Sequence, residues 1–372
     1  MREPLRALTA VAGVAFAVIL IFMQLGFERA LFESAVRFHT RLTGEIVLIS
    51  PQMDYLVSTK PFPRRRLYQA LGFRGVASVR PIYAGLALWK NPATRVTRQI
   101  YLIGFDPRDS VLNIEGLGER LRDLQMPDVV LYDDLSRVEF GPIAEWFRAG
   151  REVTTEASNR AVRVIGLFPL GTSFGIDGNV ITSDLNFLRI LRHRRPGLID
   201  IGLIRLEPGA DPQAVRDLLA AKLPRDVLVL TKQQFIEREQ WFWRTSTPIG
   251  FVFSFGVAMG LVVGTIIVYQ ILFADVSDHF TEYATLKAMG YTNGFLFAVV
   301  LLQAVTLAVL GYLPGLASSW QLFRVAENST HLPVHLTLHL GLTVLGLTVA
   351  MCCTSGAITL RKIRSADPAE IF

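Results

Sequence analysis

Four stretches of this sequence are too long and too apolar to stay in water. Ala7–Gly26 runs 20 positions without a charge, Pro248–Ala274 runs 27 and Gly294–Phe323 runs 30. Leu336–Leu360 adds 25 positions with His339 as the one ionisable side chain. A helix rising about 1.5 Å per residue needs about 20 residues to cross roughly 30 Å of hydrocarbon. In lipid every backbone N–H and C=O must be paired within the protein, which leaves helices and closed barrels. The run lengths suit helices, so four membrane spans are expected. Pro314 is where the third is expected to kink or end, because proline lacks the N–H that the helix ladder uses.

Charge divides the chain the same way. The segment 27–247 holds 31 Lys+Arg and 25 Asp+Glu in 221 positions, while the other 151 positions hold 14 charges. Soluble domains carry about 25% charged residues, so the middle is ordinary and the remainder oily. The expected organisation is residues 1–26 as N-terminus and first span, 27–247 as a large inserted domain, and 248–372 as a three-span core with a loop at 275–293. This excludes a wholly soluble enzyme, a disordered chain and a disulfide framework. The two cysteines, Cys352 and Cys353, sit together inside the fourth run. The net charge of +6 lies wholly in the middle segment, where basic and acidic residues interleave, so nucleic acid is not implied. The first run is longer than a signal-peptide core and lacks a small-x-small cleavage site, so it reads as a retained anchor. Lys and Arg near the spans count six on one side and seven on the other, which does not set the orientation.

The inserted segment begins and ends in helical patterns. Phe27, Leu31, Ser34/Ala35, Phe38 and Leu42 recur every three to four residues, and Phe235, Arg238/Glu239 and Phe242 do so more weakly. Trp241 and Trp243 fit the bilayer surface, where amphipathic rings collect. Spans one and two should therefore continue outward as stalks. Between them, strands are expected at Glu45–Ser50, Val76–Trp89, Gln99–Phe105, Val162–Phe168, Ile201–Leu206 and Val227–Leu230. Helices are expected at Arg64–Leu71, Leu117–Gln125 and Pro212–Lys222, the last opened by Asp211 as N-cap and proline at its first position. That mixture makes an α+β domain.

Several motifs invite a chemical reading. Gly171-Thr-Ser173-Phe-Gly175 fits the G-x-S-x-G nucleophile elbow, which needs a strand before the serine and a helix after it. Gly-Ile-Asp-Gly-Asn follows instead, so a glycine-rich turn is the stronger reading, and a Ser173 enzyme the rival. His331, His335 and His339 are spaced by four, as metal ligands on one helix face would be. Pro333 should open that helix, and packed or interfacial histidines are the default; His339 could turn to the bundle interior. Arg64-Arg65-Arg66 and His193-Arg194-Arg195 read as solvated faces, or as contacts for anionic headgroups or a partner. Gly256, Gly260 and Gly264, and again Gly311 and Gly315, recur every fourth residue, which lets helix backbones approach closely. No Gly-Lys pair, His-Glu-x-x-His, Cys-x-x-Cys or dinucleotide fingerprint occurs. A chain that does work here takes its energy from a partner.

The loop between the second and third runs is the sharpest candidate. Asp275 and Asp278 open it, and Lys287 and Gly290 close it, an order that suits the helix dipole and a glycine C-cap. Phe280, Tyr283, Ala284 and Lys287 should share one face, and Glu282, Leu286 and Met289 another. Such a helix on the membrane surface could pass force from a docked protein; the plain reading is a connector.

Thr281-Glu-Tyr-Ala-Thr-Leu-Lys-Ala-Met-Gly290 resembles the loop motif of FtsX-like, MacB-type ABC exporter permeases, whose layout is one span, a large domain and three spans. Residues 12–27, 171–179, 183–187 and 274–278 further resemble the DevC permeases of the DevBCA exporter. The similarity covers nearly the whole chain. It implies a homodimer in the inner membrane of a bacterium, a cyanobacterium in the DevC case, with both termini cytoplasmic and the large domain periplasmic. Phe280, Glu282, Tyr283, Leu286, Lys287, Met289 and Gly290 would form the coupling helix on a separate ABC ATPase (DevA-like). No cofactor is implied in this chain, ATP and Mg belonging to that ATPase. The large domain would meet a membrane-fusion protein (DevB-like) and, through it, a TolC-like outer-membrane channel. The cargo would be lipid or other envelope cargo, glycolipid in the DevC case, expelled by mechanotransmission. A lipoprotein-releasing or envelope-regulating FtsX-type protein is the alternative. Family members carry an amphipathic helix before the first span; six residues precede it here.

Overall fold

The computed structural model describes residues 2–330 and 332–364. They divide into two compact units, Met1–Ala30 with Pro248–Phe372, and Leu31–Thr247. Helix α1 (Arg2–Ala35) opens the chain, and after a turn at Val36 the short α2 (Arg37–Arg41) follows. The expected first stalk is therefore broken once rather than continuous to Leu42.

The Leu31–Thr247 unit is built on β1 (Ile46–Ile49), β2 (Phe62–Pro63), β3 (Val76–Lys90), β4 (Thr97–Phe105), β5 (Val129–Asp133) and β6 (Val153–Ala157). It continues with β7 (Arg160–Phe168), β8 (Asn179–Ser183), β9 (Leu198–Ile199), β10 (Ile201–Leu206) and β11 (Leu228–Thr231). Nine of these strands form one mixed sheet in the order β11-β1-β10-β3-β4-β8-β5-β7-β6. A bridge from Trp89 to Ala157 returns β6 to β3, so the last six strands curl upon themselves. Trp89 is fully buried at that seam and its indole donates to the Phe140 carbonyl at 3.3 Å. The remaining pair, β2 and β9, makes a separate ribbon in which Phe62 faces Ile199 and Pro63 faces Leu198.

Helices cover both sides of the sheet. On one, α3 (Arg65–Ala70), α5 (Ile143–Arg148), α6 (Asp184–Ile190) and α7 (Pro212–Lys222) bring Leu67, Ile143, Phe187, Ile190 and Leu219 against Ile46, Leu102 and Val130. On the other, Phe38 and Leu42, the short α4 (Leu117–Arg120) with its 3-10 extension to Gln125, and Phe235 of α8 (Lys232–Thr245) pack on Val47, Ile103 and Ile181. The sequence pattern at Leu117–Gln125 thus resolves into two short turns rather than one helix. Helix α7 spans the residues expected of it, and Asp211 accepts from the backbone N–H groups of Gln213 and Ala214. Thr231 and Gln234 form a reciprocal cap at the start of α8. Strands β5, β6 and β8 and helices α5 and α6 were not expected from the sequence. β5 and β8 are buried at every position, so they show no alternation.

The other unit holds α1, α9 (Ile249–Asp278), α10 (Phe280–Ala288), α11 (Asn293–Thr330) and α12 (Leu338–Arg364). Four of these are long and apolar enough to cross a membrane: Leu8–Ala35, Ile249–Asp278, Asn293–Glu327 and Leu338–Leu360. Val14, Ala17, Val18, Ile21 and Phe22 of α1 are fully buried at helical spacing. Pro314 does not end the third span; it lies inside α11.

Candidate functional site between the second and third spans

Helix α9 ends at Asp278, and the chain turns at His279 into α10. The His279 Nδ1 lies 2.9 Å from the Asp275 carbonyl oxygen and 3.8 Å from its carboxylate, and that carbonyl bond is the first cause that holds the imidazole above its usual range. The other oxygen of Asp275 accepts from the Gln303 amide of α11, which ties the second span to the third just before the loop helix. Gln303 is uncharged, so the distribution of charge along the sequence does not mark it.

Helix α10 ends in a double glycine cap. Tyr291 N–H donates to the Leu286 carbonyl at 3.2 Å, Gly290 N–H to Lys287 at 3.1 Å, and Gly290 takes φ +93°. Glycine is needed there because a side chain is strained at that φ. No side chain of α10 is buried. Phe280, Tyr283, Ala284 and Leu286 are half-buried, while Glu282, Lys287 and Met289 are exposed, Met289 by 64%. Lys287 is exposed where the other three residues of its expected face are half-buried, and Leu286, expected on the other face, is half-buried too.

The five glycines at four-residue spacing face α1, and Gly264 meets the Met351 side chain of α12 more closely still. A methyl group on Gly260 would sit 3.2 Å from Ile21, one on Gly264 2.8 Å from Ala17, one on Gly311 2.5 Å from Val14 and one on Gly315 2.6 Å from Val18. Gly256 faces the Gln24 side chain.

The histidine series does not share a helix face. His331 lies outside the described residues, His335 precedes α12, outside any helix, and pairs with Glu327 at 3.6 Å, and His339 in the first turn is exposed. The helix starts at Leu338 rather than Pro333, and among the described residues no trio of His, Cys, Asp or Glu is placed to hold a metal. Ser173 lies in a turn between β7 and β8, its N–H bonded to the Ile176 carbonyl at 2.8 Å, with no helix after it. Gly171 there has φ +89°, and its N–H donates to Asp133 at 2.8 Å. Asp133 also accepts from Leu170, Leu135 and Asn179; burial raises its carboxyl to about 6 against those bonds. The glycine turn is therefore a structural clamp.

A buried pair escaped the sequence reading. Glu239 of α8 accepts from the Trp243 indole at 2.9 Å and from Leu56 N–H at 2.8 Å. His39 of α2 places Nε2 3.6 Å from the same carboxylate, and both residues are buried. Burial pushes Glu239 up to about 7 and His39 down to about 3. The stripe of Phe235, Glu239 and Phe242 hinted that Glu239 faces inward, but nothing local named its partner.

Four helices long and apolar enough to cross a membrane, with one large mixed-sheet domain inserted after the first, define a multi-pass membrane protein with a large domain beside the membrane. The chain matches the family model of the MacB-like periplasmic core domain over residues 7–222, and that of the FtsX-like permease C-terminal over residues 254–368. It belongs to the MacB/FtsX-like ABC permease family, and its large domain lies outside the cytoplasm. It is similar to the periplasmic region of MacB from Actinobacillus actinomycetemcomitans, at 12% identity over 55% of this chain and 96% of that one, with a TM-score of 0.35. It is also similar to the extracellular domain of the ABC-type transporter YknZ from Gram-positive bacteria, at 13% identity over 50% and 98%, with a TM-score of 0.32. No curated protein sequence matches the chain.

Proposed function

We propose that this chain is the permease subunit of a tripartite ABC exporter, and that α10 is the helix through which a separate ATPase drives it. The observation that carries this reading is α10 itself: a nine-residue helix with no buried side chain, closed by a double glycine cap and joined to two spans. An isolated helix of that length is unstable in water, so a helix kept there needs an external surface to rest on. Met289, Glu282 and Lys287 offer that surface one apolar and two charged contacts. With the large domain outside, the loop after one further span lies in the cytoplasm, where ATPases reside, and both termini follow. Asp275–Gln303 and the α1 contacts of Gly256, Gly260, Gly264, Gly311 and Gly315 would then carry the motion through the bundle. The chain would work as a homodimer, with its large domain meeting a membrane-fusion protein that leads to a TolC-like outer-membrane channel. Its cargo would be membrane lipid, glycolipid by the DevC resemblance, in a cyanobacterial inner membrane.

The test is a double charge reversal, Glu282→Lys with Lys287→Glu, in the complex reconstituted with its ATPase. ATP hydrolysis should persist while export falls roughly tenfold or more, the effect of misplacing a force-bearing contact. Unchanged export would overturn the coupling role.

A further inference from the structure

The two basic runs of the sequence lie more than 120 residues apart, yet the β2–β9 ribbon places them side by side. Pro63 pairs with Leu198, and the next residue, Arg64, donates its N–H to Gly197 at 2.8 Å. Arg65 and Arg66 thus begin α3 beside the turn that carries Arg192, His193, Arg194 and Arg195. Two of the arginines are neutralised within the fold: Arg66 by Asp226 at 2.8 Å, and Arg194 by the buried Asp200. Arg65, Arg192, His193 and Arg195 are exposed and have no ion-pair partner among the described residues. The frame under them is fixed. Tyr83 donates its hydroxyl to the Pro196 carbonyl at 2.9 Å, and the Arg194 and Leu198 N–H groups close turns onto Leu191 and Arg195 at 2.9 and 3.1 Å. Arg64 lies over the Tyr68 ring, 5.2 Å from its centroid, and Tyr68 is 49% exposed with Leu71 next to it at 46%.

We propose that this rim docks the acidic face of a second protein outside the cytoplasm. The compartment removes nucleic acid. Arginines carried at the end of the β2–β9 ribbon, around exposed Tyr68 and Leu71, match a folded surface, because tyrosine and arginine dominate the energetic centres of protein interfaces. A fluid lipid surface needs neither a fixed spacing nor a ring. Unpaired like charges at such a rim act mainly by steering the encounter and selecting the partner. The proposal rests on the family and on this patch, and holds whether or not α10 couples to an ATPase.

The test uses the full chain in its native cells, with Tyr68 replaced by a photo-crosslinking phenylalanine analogue. Irradiation should give one protein adduct, whose crosslinked peptide, identified by mass spectrometry, is rich in Asp and Glu. Arg65→Glu, Arg192→Glu and Arg195→Glu together should lower its yield roughly tenfold. The matching Arg→Lys triple should retain it, and Asp/Glu→Lys changes in the captured peptide should restore it to the reversed chain. No protein adduct, an adduct indifferent to the reversal, or an adduct with lipid would overturn the proposal. So would equal binding of wild type and reversed chain to phosphatidylglycerol vesicles with no protein captured.

Discussion

Glu239 shows how a single carboxylate can be held in two opposed ways. Its two N–H donors favour the charged form, while burial favours the neutral one and dominates, raising it from 4.5 to about 7. A carboxyl whose folded pKa is raised contributes stability that is complete below its unfolded pKa and is lost as pH rises through the folded one. Glu239 therefore costs stability between about pH 4.5 and 7. His39 runs the other way, because burial lowers it from 6.5 to about 3. Its contribution is complete above 6.5 and is lost as pH falls toward 3. From pH 4.5 to 6.5 the two slopes cancel, each worth about 1.4 kcal/mol per pH unit. Glu239→Gln should remove one of them, so the variant should gain on wild type by about that slope as pH rises from 4.5 to 7. Denaturant unfolding followed by tryptophan fluorescence at several pH values would show it, and parallel curves for the two proteins would refute it. Asp133, also raised, contributes equally to both proteins and drops out of the difference.

At the scale of elements, legibility followed locality. Helix α7 could be read because its cap, its first-turn proline and its apolar spacing all lie within 12 residues. The spans were legible because lipid imposes one composition along 20 or more positions. β5 and β8, buried on both faces, offered no alternation, and α6 rests on a Ser183 cap that the strand before it obscured. Of the two outcomes expected at Pro314, a kink or an end, the end is excluded, because neighbouring helices can support a proline within a span. For the candidate site, the acids before α10 and the glycine after it marked the helix, whereas its half-buried face depends on where α9 and α11 leave it. The glycine stripes make a prediction at this scale. Gly311→Leu would force a branched side chain into Val14, and overpacking of this kind costs about 1–3 kcal/mol. Gly346 on α12 has open space where its side chain would be, so Gly346→Leu serves as control. Thermal unfolding of the full chain in nanodiscs should show a lower midpoint for Gly311→Leu alone. Equal midpoints would mean that α1 does not depend on the stripe.

The whole molecule is two solvents' worth of protein, and each unit carries its own core. The Leu31–Thr247 unit closes its sheet with buried apolar layers on both sides, without a cysteine and without help from Val14–Phe22 or the other membrane core residues. Its length exceeds the roughly 100–150 residues at which domains commonly stand alone. Its buried carboxyl groups, Asp133, Asp200 and Glu239, find their partners inside the same unit, in Asn179, Arg194 and Trp243. Nothing in that accounting calls on lipid. Residues 31–247 produced without the spans should therefore be soluble, give mixed helix and strand by circular dichroism, and unfold in one cooperative transition. They should also keep the pH response of Glu239, because Leu56, Trp243 and His39 all travel with it. Aggregation, or a broad non-cooperative melt, would show instead that the sheet needs the first span to hold α2 in place. The separation of charge along the sequence would then mark a boundary of environment and not a boundary of folding.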